Sequence, residues 1–272
     1  YPMLSSAEIA RYSLQAGAAR PALSLYYRFS DDRVEALETT LELVPISDNF
    51  SLDDFAEQAP PSVQAEYEIL KKFAAAPPGL STDTRTDYRI YTDPPRVVAA
   101  PRRPVSLVVE SLMRRVNTTW AKKLTGKGGL FRANGATIWH PPTEQPYAWT
   151  TSPLRRYADL ANQALLLAVL GLAPSPQIQW KKLAQSLNQQ QARARQMQDK
   201  MERHWILQAL SALPPQTVLT AQRQPKNRVR LTDYPLAGLL VKTAARLPEV
   251  ESFPVRLYDI DFFIQRARFV LA

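Results

Sequence analysis

The chain has 272 residues, with 34 Lys and Arg against 25 Asp and Glu for a formal net charge of +9. It has no Cys, which excludes disulfides, thiolate catalysis and Cys-ligated zinc or iron–sulfur centres. Apolar residues make up 45%, enough to bury a core in one large domain or two smaller ones, while only His140 and His204 are available to a His-rich metal centre.

In chain order, Ala7 to Gln15 reads as a short helix with Ser5 or Ser6 as its cap and Gly17 as its stop. Ala22 to Phe29 and Ala36 to Val44 alternate about a turn at Asp31-Asp32-Arg33, which predicts a β-hairpin. Leu52 to Gln58 and Ser62 to Ala76 read as helices; the second opens after Pro60-Pro61 and stops at Pro77-Pro78-Gly79. Tyr88 to Tyr91 and Val97 to Ala100 are short strands. Val105 to Leu124 is an amphipathic helix ending at Gly126, and Gly129 to Ala133 a short strand. Ser152 to Leu170 is a helix, and Pro176 to Leu210 reads as one long helix rich in Gln and Arg. After Pro214-Pro215, five short strands are predicted: Val218 to Ala221, Arg228 to Thr232, Ala237 to Val241, Pro254 to Leu257 and Phe262 to Val270. They suit a small barrel of the OB type. The fold class is therefore α+β, with a mixed body over 1–212 and a small β domain over 216–272.

The longest apolar run, around Ala164 to Ala173, is far short of a membrane span, so no membrane partner is expected. No signal peptide is visible, which favours a cytoplasmic protein. The first residue is Tyr1, so the chain reads as processed, truncated or numbered from inside a longer protein. Charge is segregated along it. Residues 1–84 carry 6 basic and 13 acidic side chains, 85–132 carry 11 and 3, and 133–272 carry 17 and 9. The basic two-thirds predict an electropositive face for a polyanion, most simply nucleic acid. A solvated face with no specific ligand is the bland alternative.

The segment Thr150 to Leu160 carries the most information. Ser152-Pro153 reads as a helix start, with the hydroxyl as cap and a proline whose missing N–H is not needed. Arg155 and Arg156 then fall in the first turn, where the helix dipole disfavours cations. A bound anion reverses that account, because guanidinium and free backbone N–H groups would hold phosphates together. Asp159, four residues after Arg155, is placed to fix that side chain.

This segment, Thr150-Thr151-Ser152-Pro153-Leu154-Arg155-Arg156-Tyr157-Ala158-Asp159-Leu160, resembles the T-S-P-I-R-R-Y-x-D-L signature of the ribonuclease II/R family, in its RNB catalytic domain. Other stretches agree in order. Pro2-Met3-Leu4-Ser5 and Arg20-Pro21-Ala22-Leu23-Ser24 resemble the family's P-M-L-S and R-P-A-L-S. Asp87-Tyr88-Arg89 and Val98-Ala99-Ala100-Pro101-Arg102-Arg103 resemble D-Y-R and V-A-E-P-R-R. Val109-Glu110-Ser111-Leu112-Met113 with Asn117 resembles V-E-E-x-M and its Asn, Phe131-Arg132 resembles Y-R, and Met201-Glu202-Arg203 resembles A-E-R.

The resemblance implies a processive, Mg²⁺-dependent 3′→5′ exoribonuclease that hydrolyses single-stranded RNA to nucleoside monophosphates, with a C-terminal OB-like RNA-binding barrel. It assigns Arg155 to the scissile phosphate as catalytic charge stabiliser and Arg156 to an adjacent phosphate. Glu110 and Glu202 would recognise the terminal ribose. Ser152, Tyr157 and Arg132 would also contact RNA, and Tyr147 and Trp149 are candidates to stack bases, though aromatics before a helix are more often core. On their own, Glu110 reads as a surface charge and Glu202 as a partner for Arg203.

The family's metal-binding carboxylates lie in an Asp-rich loop upstream of its P-M-L-S turn. This chain begins at that turn, so no metal ligand is assigned within it. Mg²⁺ is expected to be held by an N-terminal segment of the same protein, and the chain alone is expected to be inactive. Tyr258-Asp259-Ile260-Asp261 mimics such a loop but reads as a strand edge. Gln163 stands where a His is common, and only about 17 residues separate Arg132 from Thr150, where larger relatives have a helical insert. The alternatives are a non-catalytic RNA-binding relative that lost its metal site and a general basic scaffold protein.

Overall fold

The computed structural model describes residues 3–30, 33–51, 54–76, 86–100, 102–132, 145–241 and 251–272, together with the backbone of 139–140. Pro2, the Asp31-Asp32 turn, Leu52, the Pro77-Pro78-Gly79 stop, Pro101 and Ala133 lie outside the described residues. The chain forms two compact units, 1–83 with 103–188, and 84–102 with 189–272.

The first unit opens with α1 (Ser6–Tyr12). Ser5 caps it through a reciprocal capping box with Glu8. The helix ends at Tyr12, three residues short of the expected Gln15, and Gly17 turns the chain at φ 93° into the next strand. β1 (Ala18–Ser30) and β2 (Arg33–Ile46) form a long antiparallel ribbon with a register shift between Leu25 and Tyr27. α2 (Phe55–Gln58) and α3 (Pro61–Ala75) follow, the latter with proline in its first turn.

The central helix of this unit lies further along the chain, after β3 (Asp87–Thr92) and β4 (Pro95–Ala100), which belong to the second unit. It is α4 (Pro104–Leu124). Arg115 ties α4 to α3 by donating to the carbonyls of Phe73 and Ala76, and its guanidinium lies 4.9 Å from the Phe73 ring centre. Burial lowers the Arg115 pKa, the cost of inserting a cation at this joint. The ribbon docks on α4 through Leu23 and Leu25, a Tyr27–Thr119 hydroxyl contact of 2.9 Å, and Trp120 Nε1 donating to Thr39 (3.1 Å). Among the described residues, the expected strand at 129–133 is a single bridge between Phe131 and Ala148; β5 (Trp139–His140) and β6 (Gln145–Pro146) are two residues each. α5 (Tyr157–Val169) buries Leu165 and Leu166 against Trp120, Ala121 and Leu124. α6 (Trp180–Ser211) begins in this unit, and its first residue explains Gly128: a Cβ there would sit 2.7 Å from the Trp180 ring.

The second unit contains the rest of α6 and a closed five-stranded barrel. Its strands are β7 (Val218–Gln224), β8 (Arg228–Leu231), β9 (Ala237–Leu240), β10 (Ser252–Asp261) and β11 (Arg266–Leu271). The order is β10-β11-β9-β8-β7, antiparallel except for the β9–β11 pair, and β10 closes on β7. This is the OB-type arrangement expected from the strand spacing. Alternation puts Leu219, Ala221, Val229, Leu231, Phe253 and Phe269 inside, and Ile206, Leu207 and Leu210 of α6 join that core. The β3–β4 hairpin belongs here too. Ile90 and Val97 pack on the barrel core, and the Tyr88 hydroxyl donates to the Thr232 carbonyl at 2.8 Å. Asp87 pairs with Arg102 at 3.2 Å. The D-Y-R resemblance thus falls on residues that attach a hairpin to a barrel.

Gly238 in β9 has no room for a side chain. An added Cβ would collide with the Phe269 ring and lie 2.7 Å from the Ala267 carbonyl oxygen. Gly238→Ala is expected to destabilise the barrel by about 1–3 kcal/mol, the usual cost of overpacking. An unchanged denaturation midpoint would contradict this packing.

Candidate nucleic-acid interface

The structure corrects the expected start of the helix after Ser152. Ser152 does not cap a helix through Arg155. Its carbonyl accepts from the amides of Arg155 (3.3 Å) and Arg156 (3.0 Å), closing a separate turn over Pro153-Leu154-Arg155. Arg156 then adopts an extended conformation (φ −128°, ψ 117°) and becomes the N-cap of α5, without a side-chain cap of its own. Asp159, at the third helical position, reaches back to the preceding turn, where its Oδ1 accepts from Ser152 N at 2.8 Å.

Asp159 also pairs with a different arginine from the one expected. Arg156 Nη2 lies 2.6 Å from Asp159 Oδ1, and Asp159 is fully buried. A carboxylate one turn away could serve either residue by spacing, but the extended Arg156 backbone brings that guanidinium back over the helix start. Arg155 is exposed, and among the described residues its side chain donates to Ser152 Oγ, at 3.3 Å. One arginine is therefore held and its neighbour is open to solvent. Arg156 Nε is buried without a hydrogen-bond partner among the described residues, as is Asp159 Oδ2.

Trp149 supplies a platform for two cations. The Arg156 guanidinium lies 4.6 Å from its ring centre and that of Arg132 lies 5.3 Å away. Arg132 is exposed, and its amide donates to the Tyr147 carbonyl at 2.7 Å. Tyr157 is 47% exposed at the first turn of α5. Tyr147 is buried in the core, where Asn117 Nδ2 donates to its hydroxyl at 2.9 Å.

Two buried amides hold this segment in place. Asn117 of α4 accepts from both the amide and the hydroxyl of Thr150, and donates to Thr151 Oγ1 at 3.2 Å. Asn162 of α5 accepts from Leu130 N (2.8 Å) and donates to the carbonyls of Leu130 (2.8 Å) and Trp149 (2.7 Å). Gln163 adds a bond to the Thr150 carbonyl at 2.8 Å. Asn162 had no sequence signal beyond being a polar residue in an apolar helix. Asn162→Ala would leave the Leu130 amide and the Trp149 carbonyl without these partners, the Leu130 carbonyl still accepting from the Trp149 amide, and is expected to cost about 2–3 kcal/mol. Denaturant unfolding measures this; a wild-type midpoint would contradict it.

Ser152, Arg155, Arg156, Tyr157 and Arg132 thus gather around the start of α5. Glu110 is half-buried on α4, seven residues or about two turns before Asn117, and so on the same helix face. Glu202 belongs to the second unit. It is exposed and accepts from Gln198 Nε2 at 2.6 Å, while Arg203 donates to carbonyls instead of pairing with it. Asp259 pairs with Arg268 through two hydrogen bonds, and Asp261 fixes a hairpin turn by accepting from Phe263 and Ile264 amides. The described residues contain no group of three or more His, Cys, Asp or Glu that could hold a metal ion. No helix among them is long and apolar enough to cross a membrane.

No protein-family model and no curated protein sequence matches this chain. Solved structures do match it. The apo form of Mycoplasma genitalium RNase R has a TM-score of 0.74 at 13% identity, over 96% of this chain and 59% of that one. The same enzyme in complex with ribose-methylated single-stranded RNA gives the same values. Its complex with double-stranded RNA has a TM-score of 0.74 at 14% identity, covering 100% of this chain and 64% of that one. The chain therefore has an RNase R-like α+β fold with a closed barrel, and spans about three-fifths of the length of these structures.

Proposed function

We propose that this chain supplies the phosphate- and ribose-binding half of a 3′→5′ exoribonuclease that degrades single-stranded RNA to nucleoside monophosphates. The observation that carries the reading is the pair of unequal arginines at the start of α5. Arg156 is immobilised by Asp159 and Trp149, whereas Arg155 is exposed beside it. The first amides of the helix, at Tyr157 and Ala158, have no partner within it and point the same way as its positive dipole. An RNA phosphate here would take charge-assisted hydrogen bonds from Arg155 and from helix amides.

In this reading Arg156, held by Asp159 and Trp149, sets the position of one phosphate. Arg155 stabilises the charge that develops at the scissile phosphate. Arg132 meets a neighbouring phosphate, Ser152 orients Arg155, and the exposed Tyr157 ring contacts a sugar or base. Within the first unit Glu110 accepts from a ribose hydroxyl, the 2′-hydroxyl being what separates RNA from DNA; Glu202, in the second unit, is proposed for the same chemistry by the resemblance alone. RNase R solved with RNA on the same fold makes RNA the polyanion of choice.

The described residues do not form a metal site, so no step through a metal ion is assigned to them. The proposal places the carboxylates for Mg²⁺ in an N-terminal segment of the same protein, outside these 272 residues. The chain by itself should bind RNA without hydrolysing it.

The test is a titration of the 272-residue chain with labelled single-stranded RNA at several salt concentrations. Affinity is expected to fall steeply with salt, and Arg132→Ala to reduce the slope of log K against log salt by about one. A flat titration would favour the basic scaffold. Salt-dependent binding by a full-length protein that releases no nucleotide would favour the non-catalytic RNA-binding relative.

A further inference from the structure

The barrel projects an apolar apex that its own contacts hold out of the fold. Between β10 and β11 the chain runs Phe262-Phe263-Ile264-Gln265. Asp261 Oδ1 accepts from the Phe263 and Ile264 amides, at 3.0 and 3.1 Å, and fixes the turn. Gln265 closes it at φ 51°, and its carbonyl accepts from Arg203 Nε of α6 at 2.6 Å. Phe262 packs edge-on to His204, with ring centres 6.2 Å apart. The next two residues project further. Phe263 is 97% exposed and Ile264 52%. A turn fastened at Asp261, Phe262 and Gln265 keeps these side chains from folding back onto the barrel, and apolar surface displayed in this way marks a docking site.

The strands behind the apex set cations at two heights on the outer face of the barrel. In one row Arg228 of β8 and Arg268 of β11 flank Leu239 of β9, with Asp259 of β10 beyond Arg268. Two residues nearer the apex, Arg230 pairs with Ala237, and Arg266 with Asp261. All four arginines are exposed. Of the carboxylates in these rows, Asp259 pairs with Arg268 and Asp261 holds the turn amides; Asp233 stands in the β8–β9 turn. Residues 189–272 as a whole carry 13 basic and 7 acidic side chains. Along the strand, at about 3.3 Å per residue, Arg266 follows Ile264 by about 7 Å and Arg268 by about 13 Å. A lipid surface suits that spacing. An apolar element immersed by about 5–10 Å puts the nearer arginines among the headgroups. Anionic headgroups complement them. The apex is convex, and a fluid surface covers it without a groove shaped to receive it. Tyr258 is exposed with the Arg268 guanidinium 5.9 Å from its ring centre, and adds the amphipathic aromatic enriched at membrane–water interfaces.

We propose that the barrel docks on anionic lipid surfaces, with Phe263 and Ile264 inserted at the acyl boundary and Arg230 and Arg266 against the headgroups. No helix among the described residues is long and apolar enough to cross a membrane, so the contact is peripheral. The test is co-sedimentation of the 272-residue chain with vesicles of phosphatidylserine and phosphatidylcholine, beside vesicles of phosphatidylcholine alone. Binding is expected to be at least about tenfold tighter on the anionic vesicles and to weaken as salt is raised. Phe263→Ala is expected to weaken it about tenfold, as for loss of one buried aromatic side chain, and Arg266→Ala about fivefold. Both positions are exposed, so these variants should fold. Phe263→Trp should preserve binding and add an emission that brominated lipids quench, which places the apex itself in the bilayer. Failure of the unaltered chain to sediment with phosphatidylserine vesicles overturns the proposal, and so does equal binding by Phe263→Ala. A Phe263 dependence seen with single-stranded oligoadenylate but not with vesicles would make the apex a nucleic-acid contact and overturns it too. Nucleotide release is not read here, so its failure in a hydrolysis assay would overturn the exonuclease reading and leave this surface standing.

Discussion

Replacing Arg155 by Ala is expected to lower nucleotide release by the full-length protein by more than about 10²-fold, the scale seen when a charge stabiliser is removed from a transition state. The side chain is exposed and, among the described residues, donates to Ser152 at 3.3 Å, so its loss should leave stability near the wild-type value. That separates the effect from misfolding. Arg155→Lys keeps the charge but not the planar fork of donors, and should recover only part of the rate. Single-turnover measurement of nucleotide release makes the comparison. An unchanged rate in Arg155→Ala would remove this residue from the site.

Asp159→Ala is expected to destabilise the chain by about 3 kcal/mol, through a different mechanism. The carboxylate is buried and holds both Arg156 and the Ser152 amide. Its removal leaves a partly buried guanidinium and a backbone N–H without their acceptor, the costly way to break an ion pair. The Arg156 side chain retains some solvent contact, which keeps the figure at the low end of the range for buried pairs. Asp159→Asn keeps an acceptor for Ser152 and loses the charge, so it should fall between the two. RNA affinity should drop with Asp159→Ala even where the chain remains folded, because Arg156 is no longer held. Denaturant unfolding with a parallel binding titration reads both. Wild-type stability in Asp159→Ala would show that the pair does not organise this turn.

Both expectations depend on a detail that the sequence carries only in part. Ser152-Pro153 and the two arginines mark a helix start, and α5 does start nearby, but at Tyr157. Residue-by-residue signals cannot distinguish a capped helix from a turn followed by an extended N-cap, because Ser-Pro satisfies both. The choice is made by Asp159, whose carboxylate reaches back to Ser152 once the segment is clamped by Asn117, Asn162 and Gln163. Those clamps span more than ten residues and leave no periodic trace. The barrel was more legible. Alternation in Val218 to Gln224 and Arg266 to Leu271 is local, and five strands of that spacing have few other solutions. The β3–β4 hairpin, by contrast, gives no sign in its own sequence that Tyr88 will bond Thr232 of the barrel. The exposure of Phe263 is illegible in the sequence for a related reason. A Phe-Phe-Ile run reads as strand interior, and only the Asp261 turn turns it outward.

The proposed function has RNA hydrolysed from its 3′ end, with Arg155 and Arg156 receiving the phosphates. The most direct test is incubation of the full-length protein with uniformly labelled single-stranded RNA and Mg²⁺, with the products separated by size. The expected products are nucleoside monophosphates from the first time point, with no intermediate internal fragments and with protection when the 3′ end is closed by circularisation. Intact RNA, or cleavage of the circular substrate, would contradict the proposed function.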